Sequence, residues 1–366
     1  MLVARIDSLS TSHKTVTTHL VHMNVPIAVA DSLLRGVGQV MFQNNPVTGL
    51  LFLVGIFINA YEDGLSALLG LVVATLAAYL LGAEGPLIRN GLFGFNGVLI
   101  GIALSVFLQW DWHVAIYIIL GAIVSTIVMM ALAKLLIGRD MAPLTAPFVL
   151  TAWLLLFALY QFGQLHPTKL IGPMPVQPGA AIQTSLREAT SGAGAVGLTA
   201  ANLANALFRG IGEVFLQDNL WTGVVFAIAI LINSRVCFGF ALLGSALGGL
   251  TALVLGGDGL TVYHGLYGFN AVLTGIALGG LFLALSWRSA IYALLGVIFS
   301  AIVFAAIAVA LSPIGIPALT APFVLTTWVF LLPTGGFRAL QRVAVAECAS
   351  THSLIRLHAP QLTRAE

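Results

Sequence analysis

The sequence predicts an all-α polytopic membrane protein made of two tandem homologous halves. Three observations support this fold class: an apolar composition, an internal repeat and paired breaks in the apolar segments. Of the 366 residues, 59% are hydrophobic and only 8% are charged, against roughly 25% charged in a soluble domain. The mean hydropathy is +1.02. At roughly 20 residues per spanning helix, the apolar region has room for about ten transmembrane helices in a lipid bilayer.

The distribution of charged residues predicts the location of both termini and argues against a nucleic-acid partner. The net charge of +2 comes from scattered basic residues, so we predict no nucleic-acid partner. Segment 1–25 lacks the apolar core of a signal peptide and is predicted to be a solvated tail. Segment 334–366 is a second, basic tail. Because basic segments favour the cytoplasmic side, we expect both termini in the cytoplasm. From the compact chain with short tails we expect a multi-pass protein of the cell membrane, the bacterial inner membrane.

A repeat with an offset of 174 to 175 residues covers most of the chain. The matched segments are 35–40 with 209–214, 91–104 with 265–278, and 144–153 with 319–328. Shared hydrophobicity alone would not match Asn, Thr, Pro and Trp position by position, so the chain is a tandem duplication. The halves are 26–163 and 198–333, and the Pro- and Gly-rich segment 164–197 is predicted to link them outside the membrane.

Each half begins with an apolar segment that is too short to cross a bilayer. Segment 33–43 covers only about 16 Å at 1.5 Å per residue before the Asn-Asn-Pro sequence at 44–46, and segment 207–217 ends at Asp218. Paired short segments in two halves point to the solute site of a transporter. We therefore predict two half-spanning helices beside the full spans. If each half has an odd number of spans, the halves form an inverted repeat.

Glu213 is a candidate site residue because an ionised carboxylate in an apolar helix is costly and marks a cavity or a partner. Its counterpart in the first half is Gln39, which cannot titrate. The property that the two share is therefore hydrogen-bond acceptance, which favours binding over proton coupling. The structural alternative is an ion pair between Glu213 and Arg209, one helical turn earlier.

Aromatic and small residues recur at helical spacing in both halves. Phe95 and Leu99 lie four residues apart on one helix face, and so do their counterparts. Aromatic residues at this spacing are usually packing residues, but these lie beside polar positions in both repeats. The recurring glycines predict close helix packing, with Asn96 and Asn270 supplying interhelical hydrogen bonds.

Thr145 and Thr320 each precede a proline by two residues. A proline inside a helix frees a backbone carbonyl, which at membrane depth is tolerated only beside a cavity. This favours the midpoint of a pore. The alternative is a proline in the first helical turn with the threonine as cap.

No enzymatic motif occurs in the sequence, so we predict that the chain is not an enzyme. His113 and His264 are not repeat counterparts. A conduit lined by a duplicated histidine pair is therefore excluded.

These motifs resemble those of the urea transporter family over nearly the whole chain. Segment 316–323 reads Ile-Pro-Ala-Leu-Thr-Ala-Pro-Phe, close to the family's Leu-Pro-x-x-Thr-x-Pro-Phe pattern. The first copy, 141–148, has its leading proline one place late. The two copies and the Gly-x-x-Gly-Phe-Asn repeat occur in the family's order.

The resemblance implies an inverted repeat around a central pore, a homotrimer, and passive diffusion of urea and related small amides without a cofactor. It places Gln39 and Glu213 at two solute sites, with Thr145 and Thr320 between them. The other pore residues that it implies are Val40, Phe42, Phe95, Leu99, Val214, Phe269 and Leu273. Flat apolar slots with oxygen acceptors suit urea, because its amide donors lie in the edge of a planar molecule.

Two other functions remain open from the residues. The first is an ion-coupled carrier of a small amide, in which Glu213 accepts a proton. The second is a receptor or structural module without transport, which the duplicated broken helices disfavour.

Overall fold

The computed structural model describes residues 25–170 and 199–345, and these residues form helices joined by turns, with two isolated β-bridges. The predicted N-terminal tail lies outside the described residues except for its last residue, Val25. Most of the predicted linker and the end of the C-terminal tail also lie outside them.

Residues 25–170 contain seven α-helices, and residues 199–345 repeat them in the same order. The first set is α1 (Val25–Gln39), α2 (Pro46–Asn59), α3 (Tyr61–Leu80), α4 (Gly85–Arg89), α5 (Gly94–Phe107), α6 (Trp112–Leu136) and α7 (Ala146–Ala158). The second is α8 (Ala200–Gly212), α9 (Leu220–Asn233), α10 (Arg235–Val254), α11 (Gly259–Tyr263), α12 (Phe269–Gly275), α13 (Trp287–Leu311) and α14 (Ala321–Leu331). Corresponding helices begin 174 or 175 residues apart, which agrees with the duplication in the sequence.

By length and composition, four helices could cross a membrane: α3, α6, α10 and α13, the second and fourth with their 3₁₀ extensions. The bent pair formed by α8 and α9, with 76° between its parts, would be a fifth if it counts as one span. Five further apolar helices, α2, α5, α7, α12 and α14, are shorter. The count of about ten spans therefore stays a prediction.

The predicted break in the first apolar segment is present, but the helix lies earlier in the chain than expected. α1 ends at Gln39, and residues 40–45 form the turn. The side chain of Asn45 accepts hydrogen bonds from the amides of Val47 and Thr48, and Pro46 occupies the first turn of α2. These are favourable ways to begin a helix, so the residues that end one apolar segment also start the next.

Helices α3 and α5 approach each other closely through glycines. A Cβ on Gly97 would lie 2.2 Å from the carbonyl oxygen of Gly70, and one on Gly101 would lie 2.0 Å from that of Ser66. Glycine is the residue that allows such backbone contact between apolar helices. The predicted packing role of these glycines is therefore confirmed.

The two halves contact each other through hydrogen bonds in which repeat counterparts exchange roles. The indole nitrogen of Trp153 donates to the carbonyl of Pro317, and that of Trp328 donates to the carbonyl of Ala142, both at 2.9 Å. Trp328 is the counterpart of Trp153, and Pro317 is the counterpart of Ala142. Such reciprocal contacts are typical of a two-fold relation between the halves.

Counterpart helices run in opposite directions where they meet. Thr48, near the start of α2, donates to the carbonyl of Ala229, near the end of α9, at 3.0 Å. Thr222, near the start of α9, donates to the carbonyl of Gly55, near the end of α2, at 2.8 Å. The pair α2 and α9 is therefore antiparallel.

The long helices α6 and α13 also run in opposite directions. Asp140 follows the end of α6, and its carboxylate accepts the amide of Val345 at 3.1 Å. The same C-terminal segment pairs through Arg342 with Leu283, just before the start of α13. The end of α6 and the start of α13 thus lie at the same end of the molecule.

Candidate functional site

Thr145 and Thr320 meet where the two halves come together. Their hydroxyl oxygens are 2.7 Å apart, and the residues are only 2% and 3% exposed. A residue that contacts its own repeat counterpart lies on the two-fold axis. Each hydroxyl has one proton and two lone pairs, so the pair keeps hydrogen-bonding capacity beyond the bond that joins the two oxygens.

The prolines of these motifs lie in the first turns of α7 and α14, not in the middle of a helix. The interpretation of a carbonyl freed in mid-helix is therefore wrong, and the N-terminal alternative describes the position of Pro147 and Pro322. The threonines nevertheless do not cap the helices with their side chains. Their hydroxyls face each other instead.

Asparagines from neighbouring helices supply the missing cap. The amide of Phe148 donates to Asn96 Oδ1 at 3.1 Å, and the amide of Phe323 donates to Asn270 Oδ1 at 3.0 Å. Asn270 also donates to the carbonyl of Leu319 at 3.1 Å. The predicted interhelical role of both asparagines is confirmed, and it leaves the threonine hydroxyls available at the axis.

Backbone strain is concentrated beside these residues. Leu144 and Leu319, directly before the two threonines, have φ of 56° and 51°. Phe42 and Leu216, which are counterparts in the turns after α1 and α8, have φ of 62° and 56°. Left-handed conformations of non-glycine residues are costly and cluster at functional sites, so their occurrence in matched pairs here supports a site between the halves.

Phe42 contacts two rings of the second half. Its ring centroid lies 5.9 Å from those of Phe282 and Phe323, both with edge-to-face geometry. Phe323 follows Thr320 by three residues on α14. The structure thus brings the predicted slot residue Phe42 next to the motif of the opposite half, a contact that sequence spacing could not reveal.

The other predicted slot residues lie at the starts of α5 and α12. Phe95 and Leu99 are 7% and 1% exposed, and Phe269 and Leu273 are 3% and 0% exposed. Phe269 also packs edge-on against Phe304, with centroids 5.9 Å apart. Its ring therefore has a packing contact with α13.

Gln39 and Glu213 occupy equivalent places in the two halves. The amide nitrogen of Gln39 donates to the carbonyl of Asn90 at 2.9 Å. Glu213 is 5% exposed and begins a 3₁₀ turn after α8. Val40 and Val214, the next residues in the chain, are both 1% exposed.

The ion pair between Glu213 and Arg209 is not formed. Arg209 Nη1 instead lies 2.6 Å from Asp218 Oδ1, and its guanidinium stacks over the ring of Tyr263 at 4.6 Å. Asp218 is a strong acceptor at the far side of the turn, which draws Arg209 away from Glu213. His264 Nδ1 lies 2.6 Å from the other oxygen of Asp218.

The equivalent place in the first half is less charged. Arg35 pairs with Asp31 at 2.6 Å and donates to the side-chain oxygen of Asn44 at 2.9 Å. Asn44 and Asn90 are the counterparts of Asp218 and His264. These two clusters are not among the residues predicted from the sequence, although the repeat aligns His264 with Asn90 and so marks a difference between the halves.

Comparison with known proteins identifies the family. A family model described as urea transporter matches residues 30–335. The chain belongs to the urea transporter family. Proteins named urea transporter 1 from Ovis aries and Mus musculus are each 33% identical to it, over 307 and 313 residues. The alignments cover 83% and 85% of this chain and 77% and 78% of those relatives.

This family membership confirms the prediction, made from the repeated motifs, that the chain resembles urea transporters. The match of 30–335 contains both halves and all of the candidate site residues. The chain is a membrane transport protein, and its relatives are named as transporters and not as enzymes.

Proposed function

We propose that each copy of this urea transporter forms a passive channel, with a pore for urea between its two halves. The observation that carries the proposal is the buried Thr145–Thr320 hydroxyl pair, 2.7 Å apart. A pair of hydroxyls on the axis between two halves is equivalent when approached from either side. Such a midpoint suits a solute that moves down its gradient in both directions.

The residues around the pair suit a planar amide. Urea leaving water must find an acceptor for each amide N–H group, or it loses the hydrogen bonds of its hydration shell. Hydroxyl oxygens at Thr145 and Thr320, with Gln39 and Glu213 farther out, would offer acceptors in series. Phe42 and the apolar residues at the starts of α5 and α12 would contact the faces of the molecule. A hydrated cation would lose its shell to such walls without replacement.

We further propose an inverted topology, with about ten spans and two half-spanning segments around this pore. The support comes from counterpart helices that run in opposite directions: α2, which packs against α9, and α6 relative to α13. If these helices cross the membrane, the two-fold axis lies in its plane and the halves insert upside down relative to each other. We propose a homotrimer in the bacterial inner membrane, with both termini in the cytoplasm.

The test is urea flux in proteoliposomes, measured by stopped flow without any ion gradient. For the Thr145→Val, Thr320→Val variant we expect a loss of flux of roughly tenfold or more, because each lost hydrogen bond to urea is worth about 1 kcal/mol. Valine is nearly isosteric with threonine, so the change removes the acceptors with little change of shape.

The matched control is Thr75→Val, Thr251→Val. Each of these hydroxyls bonds a carbonyl of its own helix, Leu71 at 2.8 Å and Leu247 at 2.7 Å. We expect this variant to retain wild-type flux. Equal losses in the two double variants would contradict the midpoint assignment, and no wild-type flux above that of empty liposomes would contradict the channel.

A second candidate function is a proton-coupled carrier of a small amide, which the burial of Glu213 without an ion pair to Arg209 favours. The channel proposal predicts that Glu213→Gln keeps urea flux within a few-fold of wild type, because Gln39 shows that an amide serves at the equivalent position. It also predicts that a pH gradient never drives accumulation of urea. Accumulation that requires the gradient and disappears in Glu213→Gln would instead establish the carrier.

A further inference from the structure

An open apolar groove lies on the outer surface of the second half, at the start of α13. Its volume is about 330 Å³. It lies between the first turns of α13 and the segment that follows α14. The lining residues are Arg288, Ile291, Tyr292, Leu295, Phe337, Ala339 and Leu340.

The walls of this groove are held by hydrogen bonds. Tyr292 donates its hydroxyl to the carbonyl of Phe330 at 2.7 Å, and its ring lies 6.2 Å from that of Phe337. The segment after Leu340 is tied by backbone bonds of 2.9 Å, from the amide of Ala284 to the carbonyl of Gln341 and from the amide of Val343 to the carbonyl of Phe282. These bonds fix the positions of the groove walls relative to one another.

One arginine lines the groove, and a second lies in the adjoining segment. Arg288 lines the groove, and Arg338 lies in the chain between the lining residues Phe337 and Ala339. Both are exposed, and neither forms an ion pair with a carboxylate among residues 25–170 and 199–345. The Arg288 guanidinium lies 5.1 Å from the ring of Trp287, which is 70% exposed. An exposed tryptophan at the end of a membrane helix is typical of the headgroup level.

The corresponding face of the first half has the same walls but a different charge. Tyr117 donates to the carbonyl of Leu155 at 2.9 Å, as Tyr292 does to the carbonyl of Phe330. The counterpart of Arg288 is His113, whose Nδ1 lies 2.9 Å from Asp111. That hydrogen bond lowers the pKa of the Asp111 carboxyl, so the acid stays ionised.

The second arginine also has no equivalent in the first half. The counterpart of Arg338 is Gly163, and the nearest cation along that segment, Lys169, lies four residues beyond Leu165, the counterpart of the lining residue Leu340. The duplication thus provides two similar apolar faces. The one on the second half has two nearby arginines without an ion pair among the described residues, and the other has an acid.

We propose that this groove binds an anionic phospholipid, with an acyl chain against its apolar walls and the headgroup phosphate at Arg288 and Arg338. Cations at the membrane surface attract anionic headgroups, and arginine matches the geometry of phosphate oxygens. An apolar groove that opens at the surface beside an arginine suits an acyl chain with an anionic headgroup better than it suits a soluble ion.

The test is native mass spectrometry of the purified full-length protein, titrated with equal amounts of phosphatidylglycerol and phosphatidylcholine. We expect wild type to retain phosphatidylglycerol preferentially. In Arg288→Gln, Arg338→Gln its affinity should fall roughly tenfold or more, since each arginine near an anionic headgroup contributes on the order of a fivefold factor. Phosphatidylcholine should lose less affinity than phosphatidylglycerol, because the choline cation of its headgroup offsets the charge of its phosphate.

Two further variants test whether binding depends on this groove or only on the total positive charge of the protein. Arg139→Gln, Arg235→Gln removes two exposed arginines elsewhere and should leave the preference intact. Ala339→Trp should fill the groove and weaken phosphatidylglycerol binding although Arg288 and Arg338 are unchanged. Urea flux in all of these variants verifies that they are folded.

Three outcomes would overturn the proposal. One is the absence of any preference in wild type, as expected if a second copy of the chain covers the groove. Another is an equal loss in the two double-arginine variants. The third is complete competition by millimolar inorganic phosphate with no effect of Ala339→Trp, which would show an anion site without an acyl chain.

Discussion

At the scale of single residues, buried polar groups determine how the site is built. Asn96 and Asn270 each satisfy the amide of the phenylalanine that follows the motif proline. A helix start buried in an apolar interior cannot use water for its free amides, so a side chain from another helix takes that role. The threonine hydroxyls are then left for each other and for a solute.

The two asparagines predict a ranking of stabilities. Asn270 makes two bonds to α14 and its preceding turn, whereas the amide nitrogen of Asn96 contacts only the sulfur of Met129, at 3.8 Å. We expect Asn270→Ala to destabilise the protein by about 2 to 4 kcal/mol and Asn96→Ala by less, because buried groups left without partners cost about 1 to 3 kcal/mol each.

Thermal inactivation of urea flux in detergent-treated and reconstituted samples measures this ranking. Asn205→Ala is the control, because the amide of Asn205 is on the surface and bonds its own helix at 2.9 Å. It should change the inactivation temperature little. The reverse order of the two buried variants would show that the caps do not set the difference.

At the scale of helices, the turn before α5 requires a glycine at position 91. Gly91 has φ of +73°, and a Cβ there would lie 2.2 Å from the amide nitrogen of Gly36 in α1. Its counterpart Gly265 has φ of +77° and would meet Gly210 at 2.3 Å. These turns let α1 approach the start of α5, and α8 approach the start of α12.

Alanine substitutions at two glycines distinguish the cost of a left-handed backbone conformation from the cost of a steric clash with a neighbouring backbone. Gly82 has φ of +74° with nothing within 4 Å of its Cβ position, so Gly82→Ala should cost only the left-handed conformation, about 1 to 2 kcal/mol. Gly91→Ala adds a backbone collision and should sharply reduce the yield of monodisperse protein in size-exclusion chromatography. Similar yields for both variants would mean that α1 can shift away from α5.

At the scale of the whole molecule, the halves exchange contacts as two copies of a dimer would. Trp153 and Trp328 donate to each other's halves, and Thr145 meets Thr320 at the centre. Since the same residues serve both sides of the interface, the duplication supplies a complementary partner for each half. The charge differences at Glu213 and at the outer groove then distinguish the second half from the otherwise similar first half.

The inverted topology predicts that α6 and α13 begin on opposite sides of the membrane. In a background without cysteine, Trp112→Cys and Trp287→Cys replace exposed residues at these starts. A membrane-impermeant maleimide added to intact cells should label only one of them, and both after permeabilisation. Arg139→Cys, at the end of α6, should be labelled together with Trp287→Cys. Labelling of both starts from the same side would contradict the inversion.

Local patterns were enough for the fold class and the repeat. Composition indicates a lipid environment because only 8% of the residues are charged, and the recurrence of Gly-x-x-Gly-Phe-Asn and Thr-Ala-Pro-Phe indicates two related halves. The Asn-Asn-Pro break at 44–46 indicated where α2 begins, because a cap and a first-turn proline act through neighbouring residues, whereas α1 ends earlier than expected, at Gln39. The glycine contacts and the interhelical asparagines followed from the same local chemistry.

Only the tertiary structure decided how these pieces meet. Phe42 contacts Phe323 and Thr145 contacts Thr320 across about 280 and 175 residues of chain, and helical periodicity carries no information over such separations. The partner of Arg209 was also a tertiary outcome, because Asp218 is brought within 2.6 Å by a turn whose path the sequence does not specify. The sequence by itself determined what the chain is made of and which family it resembles. The folded contacts between halves determined which of its repeated residues share a site, because a side chain's neighbours depend on the packing of distant helices.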